Sequence, residues 1–169
     1  MARNETHDSG PVDVNADELR TYLLRSYTAV DGLWFMKVEE KYGFDAALDL
    51  DAAVWAVMPK IQARQLKAAL GEGTGIHSLR RCYAQKLALE GFVFEISDKP
   101  AGFEVRITGC PWYEKLLRSN RAHLAEKIGS RICTVEYTAW AGEFGCSYRF
   151  SGEEKICGGG KSCVLCFEK

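Results

Sequence analysis

Apolar positions along the chain change their period once, at Gly91, and that change divides it into a helical part and a mixed part. Residues 1–14 carry no periodicity, and Gly10-Pro11 precedes any regular pattern, so 1–14 are expected to form a loose arm and 15–169 a single domain. Asn15 with Glu18 three residues on has the spacing of a capping box. Leu19, Leu23, Tyr27 and Val30 recur roughly every four residues, placing them on one face of a helix. Gly32 is expected to bend the chain before a second helical piece, Leu33 to Lys41. Asp45 is then expected to cap a long helix running to about Ala69, kinked or interrupted by Pro59, whose ring and missing N–H oppose a helix interior. Gly71-Glu72-Gly73-Thr74-Gly75 breaks the pattern, and Ile76 to Leu89 predicts a further helix.

Beyond Gly91 the period becomes two. Phe92, Phe94 and Ile96 alternate, 98–102 turns the chain, and Phe103, Val105 and Ile107 alternate again with Glu104, Arg106 and Thr108 between them. This predicts a β-hairpin with one buried face. Pro111 suits the first turn of a helix, helical character returns at 122–128 and 132–142, and short strands are expected near 146–150 and 162–167. The order predicts an α+β domain, with N-terminal helices packed on a small antiparallel sheet.

Composition narrows the function classes. The 169 residues are 47% hydrophobic and 27% charged, as in an ordinary soluble domain. A net charge of −1 argues against a general nucleic-acid binder, which carries a basic excess. No apolar run approaches membrane-spanning length, and the polar start lacks a signal-peptide core. A cytoplasmic location is therefore expected, where clustered thiols point to metal or catalysis more often than to disulfides.

Five of the seven cysteines fall in the last 37 residues: Cys133, Cys146, Cys157, Cys163 and Cys166. Glu154-x2-Cys157-x5-Cys163-x2-Cys166 groups thiols and a carboxylate of the kind a tetrahedral zinc ion takes. Gly158-Gly159-Gly160 lets the backbone turn between two of them. An iron–sulfur cluster on Cys133, Cys157, Cys163 and Cys166 is the competing metal reading. Three thiolates and a carboxylate would leave no open position, which makes a structural role the expectation.

Cys133, Glu154-Lys155-Ile156-Cys157 and Gly158-Gly159-Gly160-Lys161-Ser162-Cys163 together resemble the end of the 4-vinyl reductase domain. They are similar to the aromatic-sensing domains of certain bacterial transcription activators. The resemblance covers about residues 75–169 and implies a zinc site on Cys133, Glu154, Cys157 and Cys163, with Cys166 as the alternate last ligand. A second resemblance lies toward the N-terminus. Asp31-Gly32-Leu33-Trp34-Phe35, Val38-Glu39-Glu40-Lys41-Tyr42-Gly43, Asp51, Trp55 and Cys110-Pro111 look like the L-2-amino-thiazoline-4-carboxylic acid hydrolase-like family. It implies a hydrolase acting on a small cyclic amidine or amide.

Other residues divide between packing and chemistry. Trp34, Phe35, Trp55, Trp112, Tyr137, Trp140 and Phe144 are each more often core than ligand-binding. As a set they suit an apolar pocket between helices and sheet, and Trp34, Trp55, Tyr137, Trp140 and Phe144 are the expected lining. Cys110, before a helix N-terminus, is a candidate nucleophile, with His77 and Glu39 as weak catalytic partners; a packed thiol and surface side chains are the commoner explanations. His7 and His123 carry no partner spacing. Asp31, Glu39 and Glu40 lie beside aromatics and could turn inward, although a solvated helix face is the default for such residues. Lys115, Arg118, Arg121 and Lys127 read as such a face. The reading that follows is a zinc-stabilised domain binding a small hydrophobic or aromatic molecule, with the hydrolase as the alternative. A sensor of this kind, with no attached output domain, would signal through a partner or as a homodimer.

Overall fold

The computed structural model describes residues 13–152 and 155–169. Among the described residues, six α-helices and one four-stranded antiparallel sheet make up the fold: α1 Ala16–Tyr42, α2 Phe44–Trp55, α3 Met58–Leu70, α4 Ile76–Glu90, β1 Val93–Lys99, β2 Gly102–Gly109, α5 Pro111–Arg118, α6 Ala125–Gly142, β3 Ser147–Phe150 and β4 Cys163–Glu168. Two single turns of 3-10 helix, Ala122–Leu124 and Ile156–Gly158, lead into α6 and β4. The expected α+β class, with helices against a small antiparallel sheet, is the architecture observed.

The capping box opens α1 as its spacing predicts. Asn15 Oδ1 accepts the Glu18 N–H at 2.9 Å, and Glu18 Oε2 accepts the Asn15 N–H at 3.2 Å. Gly32 does not bend the chain, because α1 runs unbroken for 27 residues. A glycine inside a helix costs about 1 kcal/mol against alanine, which a long helix absorbs. The break falls instead at Gly43, whose φ of 87° an L side chain adopts poorly. Gly43, not Asp45, is the N-cap of α2, and Asp45 sits in its first turn. Pro59 interrupts the predicted long helix and occupies the first turn of α3, where its missing N–H costs nothing. The two helical pieces expected at 122–128 and 132–142 form one helix, α6, preceded by a single 3-10 turn at Ala122–Leu124.

Strand order is β1-β2-β4-β3, so the hairpin is extended by the C-terminal strand pair. Val105 lies opposite both Ile96 and Leu165, and Phe103 opposite Phe167. Phe103, Val105, Ile107, Leu165 and Phe167 are all at most 1% exposed and face α4 and α6. Burying each such side chain contributes on the order of 2 kcal/mol. Trp140, stacked on Phe144 and edge-on to Tyr83, completes this cluster. A second, smaller cluster joins α1 and α2 to α6 through Phe35, Leu48, Ala52, Trp55 and Ile132. Helix α6 thus belongs to both clusters, one on each side.

The apolar face legible in α1 is not the face it buries. Leu19, Leu23, Val30, Leu33 and Trp34 are 42–67% exposed and lie in one stripe, while Thr28 and Phe35 on the opposite side are buried. None of the described helices is long and apolar enough to cross a membrane.

Candidate functional site

Between the two clusters lies a cavity of about 430 Å³. One wall is α1 from Arg25 to Met36, with Asp51 and Trp55 of α2 beside it. The opposite wall is the β2–α5 corner, with Ile107, Cys110, Trp112 and Tyr113. The floor is the inward face of α6, where Ile128, Ile132, Cys133, Glu136 and Tyr137 recur at helical spacing. The turn Ile156–Cys157 and Cys163 close one end. The lining is mostly aliphatic and aromatic, and its size lies within the range of small-molecule sites.

Three polar groupings face this space. The first is sulfur. Cys110, Cys133, Cys157 and Cys163 all contribute to the lining. Gly129 lies one turn before Cys133 on α6, and a Cβ placed there would sit 2.8 Å from Cys157 Sγ and 3.9 Å from Cys133 Sγ. The glycine therefore lets the 156–158 turn dock directly on α6. Cys163 Sγ accepts the Ile156 N–H at 3.3 Å, an N–H···S bond that favours a thiolate. Burial pushes the Cys133, Cys157 and Cys163 thiols upward from their ordinary range. Among the described residues no three His, Cys, Asp or Glu side chains are grouped closely enough to hold a metal ion. Glu154, the carboxylate expected among them, lies outside the described residues. Cys166 is buried in β4 opposite Glu104 and Arg149, not at the cavity; strand alternation turns it away from Cys163.

The second grouping is a pair of carboxylates. Asp31 on α1 and Asp51 on α2 flank the indole of Trp55. Burial, and then the Asp31 charge, push the Asp51 carboxyl up to about 7, opposed by the Trp55 N–H. Asp31 is raised too, again by burial. Trp55 meets Trp112 edge-on at 5.4 Å between ring centres, so the two carboxylates adjoin an aromatic corner.

The third is a buried ion cluster. Lys86 Nζ lies 2.5 Å from Glu136 Oε1 and 3.1 Å from Glu90 Oε2, and its side chain is 2% exposed. Burial alone would lower the Lys86 pKa, but the two carboxylates outweigh it and hold the ammonium charged. Glu136 joins this cluster to the cavity floor.

The residues singled out from the sequence are distributed unevenly. Trp55 and Tyr137 line the cavity; Trp140 and Phe144 are buried in the sheet cluster instead, and Trp34 is 42% exposed on the outer face of α1. Trp140 falls one turn beyond the cavity floor on α6, and Phe144 follows the end of that helix. Of the catalytic candidates, Cys110 alone lines the cavity. Burial raises its thiol to about 11 even though the Trp112 and Tyr113 N–H groups oppose that. His77 is exposed in the first turn of α4. Glu39 is paired with Arg121 at 2.5 Å. No base accompanies Cys110 from that set. The expected solvated face is divided likewise, because Lys115 and Arg121 reach the cavity mouth while Arg118 and Lys127 stay outside.

Sequence reasoning missed the inward roles of Asp51, Lys86 and Glu136. A local signal existed for two of them. Asp51 shares the buried side of α2 with Ala47, Leu48, Ala52 and Trp55, and Lys86 sits between Tyr83 and Leu87 with Glu90 four residues on. A charge at an apolar-face position is the sequence trace of a buried polar group. No curated protein and no solved structure matches this chain. One family model does, over residues 14–142, a span that contains α1 to α6 and so three sides of the cavity. The chain belongs to that family, DUF6125, a family of unknown function.

Proposed function

We propose that the protein binds a small, largely apolar or aromatic molecule in the cavity between α1, α2, α5 and α6, and that a zinc ion staples the C-terminal turn to α6. The observation that carries the reading is the cavity itself: a volume of about 430 Å³ walled mostly by apolar side chains, with a small number of polar groups among them. Zinc would be held by Cys133, Cys157, Cys163 and Glu154. The donor types suit the ion, and three of the four side chains sit at the same end of the cavity, two of them against Gly129. The metal's chemistry there is structural, since tying 156–163 to α6 makes its binding energy part of the folding energy. An iron–sulfur cluster is disfavoured because Cys166 faces away from that end.

The protein acts in the cytoplasm as a homodimer in this proposal. The apolar stripe Leu19, Leu23, Val30, Leu33 and Trp34 on α1 is the surface that a second copy would cover, because exposed apolar stripes of this kind mark association surfaces. The hydrolase alternative keeps one supporting observation, Cys110 in the cavity wall, and would need a base that neither His77 nor Glu39 supplies.

One experiment addresses the whole reading. Native mass spectrometry of protein purified without added metal should find two chains, one zinc per chain and a copurified molecule of a few hundred daltons at most. Metal-free, empty protein whose melting temperature ignores both chelator and small aromatic compounds would remove it.

A further inference from the structure

Asp31 and Asp51 present an electrostatic imbalance that the fold does not resolve. Asp51 is 5% exposed and Asp31 is half-buried; both line the cavity. No hydrogen bond within the described residues reaches either carboxylate, and the Trp55 N–H is the one donor near enough to favour their charged forms. No lysine, arginine or histidine among the described residues forms an ion pair with either. Of the cations nearby, Lys86 is held by Glu136 and Glu90 and Arg121 by Glu39, while Arg25 and Lys115, which also line the cavity, pair with neither aspartate and have no material effect on the Asp51 carboxyl. Thr28, which also lines the cavity, donates its hydroxyl back to Leu24 and Arg25 carbonyls. A buried carboxylate without donors costs several kcal/mol, and native structures supply a partner for almost every such group.

We infer that the ligand of this cavity carries a protonated amine, seated between Asp31 and Asp51 against Trp55 and Trp112, with its apolar body lying toward Phe35 and Ile132. The inference rests on the small-molecule reading above and names the chemical class of its ligand. An organic ammonium answers each part of the site. It brings up to three N–H donors to oxygens that have one, and its charge is attracted both by the carboxylates and by the faces of the indole rings. A divalent metal answers less of it, since hard cations take six or more oxygen ligands and the pair provides two side chains. A neutral ligand leaves the carboxylates as they are.

The test compares two probes of the same shape, 2-phenylethylamine and 2-phenylethanol, by titration followed by tryptophan fluorescence and melting temperature. The amine should bind at least tenfold more tightly than the alcohol to the wild-type protein. In Asp51→Asn that preference should fall to near unity while the alcohol still binds, and Asp31→Asn should act in the same direction. Circular dichroism confirms the fold of each variant, and either variant alone suffices if the other is unstable. Equal affinities in the wild type, or an amine preference that survives both substitutions, would overturn the ammonium inference and leave the cavity reading standing. Binding of neither probe, and of no other small amine or aromatic compound, would bring down the cavity reading itself.

Discussion

Asp51 couples the pH of the solution to the stability of the fold. Its carboxyl titrates near 7 when folded, against an ordinary 3.8, because burial and Asp31 both disfavour its charge. The sign follows from linkage. Between about pH 4 and 7 the folded state holds a proton that the unfolded state has lost, so this group's contribution falls as pH rises through that window. Above 7 the full cost is present; below 4 it is absent. Asp51→Asn should therefore be more stable than wild type at pH 8, by on the order of 2 kcal/mol, and the gain should vanish near pH 4. Paired urea titrations at the two pH values would check it, and a pH-independent difference would be the contrary result. The titratable groups sharing the cavity with Asp51 are Asp31 and Arg25 from α1, Cys110, Tyr113 and Lys115 from the β2–α5 corner, Arg121, Cys133, Glu136 and Tyr137 from α6, and Cys157 and Cys163 at the closed end. Of these, Asp31 is the one that materially raises the Asp51 carboxyl.

At the scale of elements, α4 and α6 are joined by charge as well as by apolar packing. Lys86 reaches from α4 to Glu136 on α6 while also holding Glu90 one turn along its own helix. The ammonium stands 5.0 Å from the centre of the Phe92 ring, with apolar surroundings that exclude water. Removing one partner of such a cluster leaves uncompensated buried charge, so Lys86→Met should destabilise by about 3–5 kcal/mol. The triple variant Lys86→Met, Glu90→Gln, Glu136→Gln should recover most of that loss, because it removes the stranded charges. Chemical denaturation of both variants measures the difference, and equal losses in the two would contradict it. These elements were themselves legible in part: the period-two run marked the hairpin and its buried Phe103, Val105 and Ile107 and Pro111 marked a helix start, whereas Pro59, expected to kink or interrupt one long helix, opens a separate one. The outward face of α1 was not legible, because a helix with apolar residues around much of its circumference does not say which side meets its neighbours. Nor was the cavity. Asp31, Asp51, Cys110 and Glu136 are brought together by packing between distant elements, and no local spacing connects them. The cysteine spacing pointed to the end of the chain that closes the cavity, but it carried no information about Asp51.

For the molecule as a whole, the stripe along α1 leaves five large apolar side chains exposed side by side. Leu19, Leu23, Val30, Leu33 and Trp34 recur with the spacing of a helix–helix seam, and α1 is long enough for two copies to pack side by side over several turns. A pair of facing glutamates at the centre of that seam, Leu23→Glu with Val30→Glu, should convert the proposed dimer to monomer while leaving the proposed zinc site and the cavity unchanged. Light scattering across a concentration series reports the mass. A wild-type protein that remains monomeric at high concentration would count against the association.

The position of the cavity between two apolar clusters has a kinetic consequence. Helices α1 and α2 are held to α6 by the smaller cluster and by ion pairs that are largely solvent-accessible, such as Lys127–Asp45 and Arg131–Asp49. Exposed pairs of this kind contribute little. The α1–α2 unit can therefore detach as a cooperative piece at lower cost than global unfolding. Because α1 and α2 supply one wall of the cavity, detachment of that unit would uncover it, and amide exchange in α1 and α2 is expected to slow when the cavity is filled. An occupant touching Asp51 on one side and Ile107 on the other would raise the cost of that detachment, turning two loosely joined folding units into one.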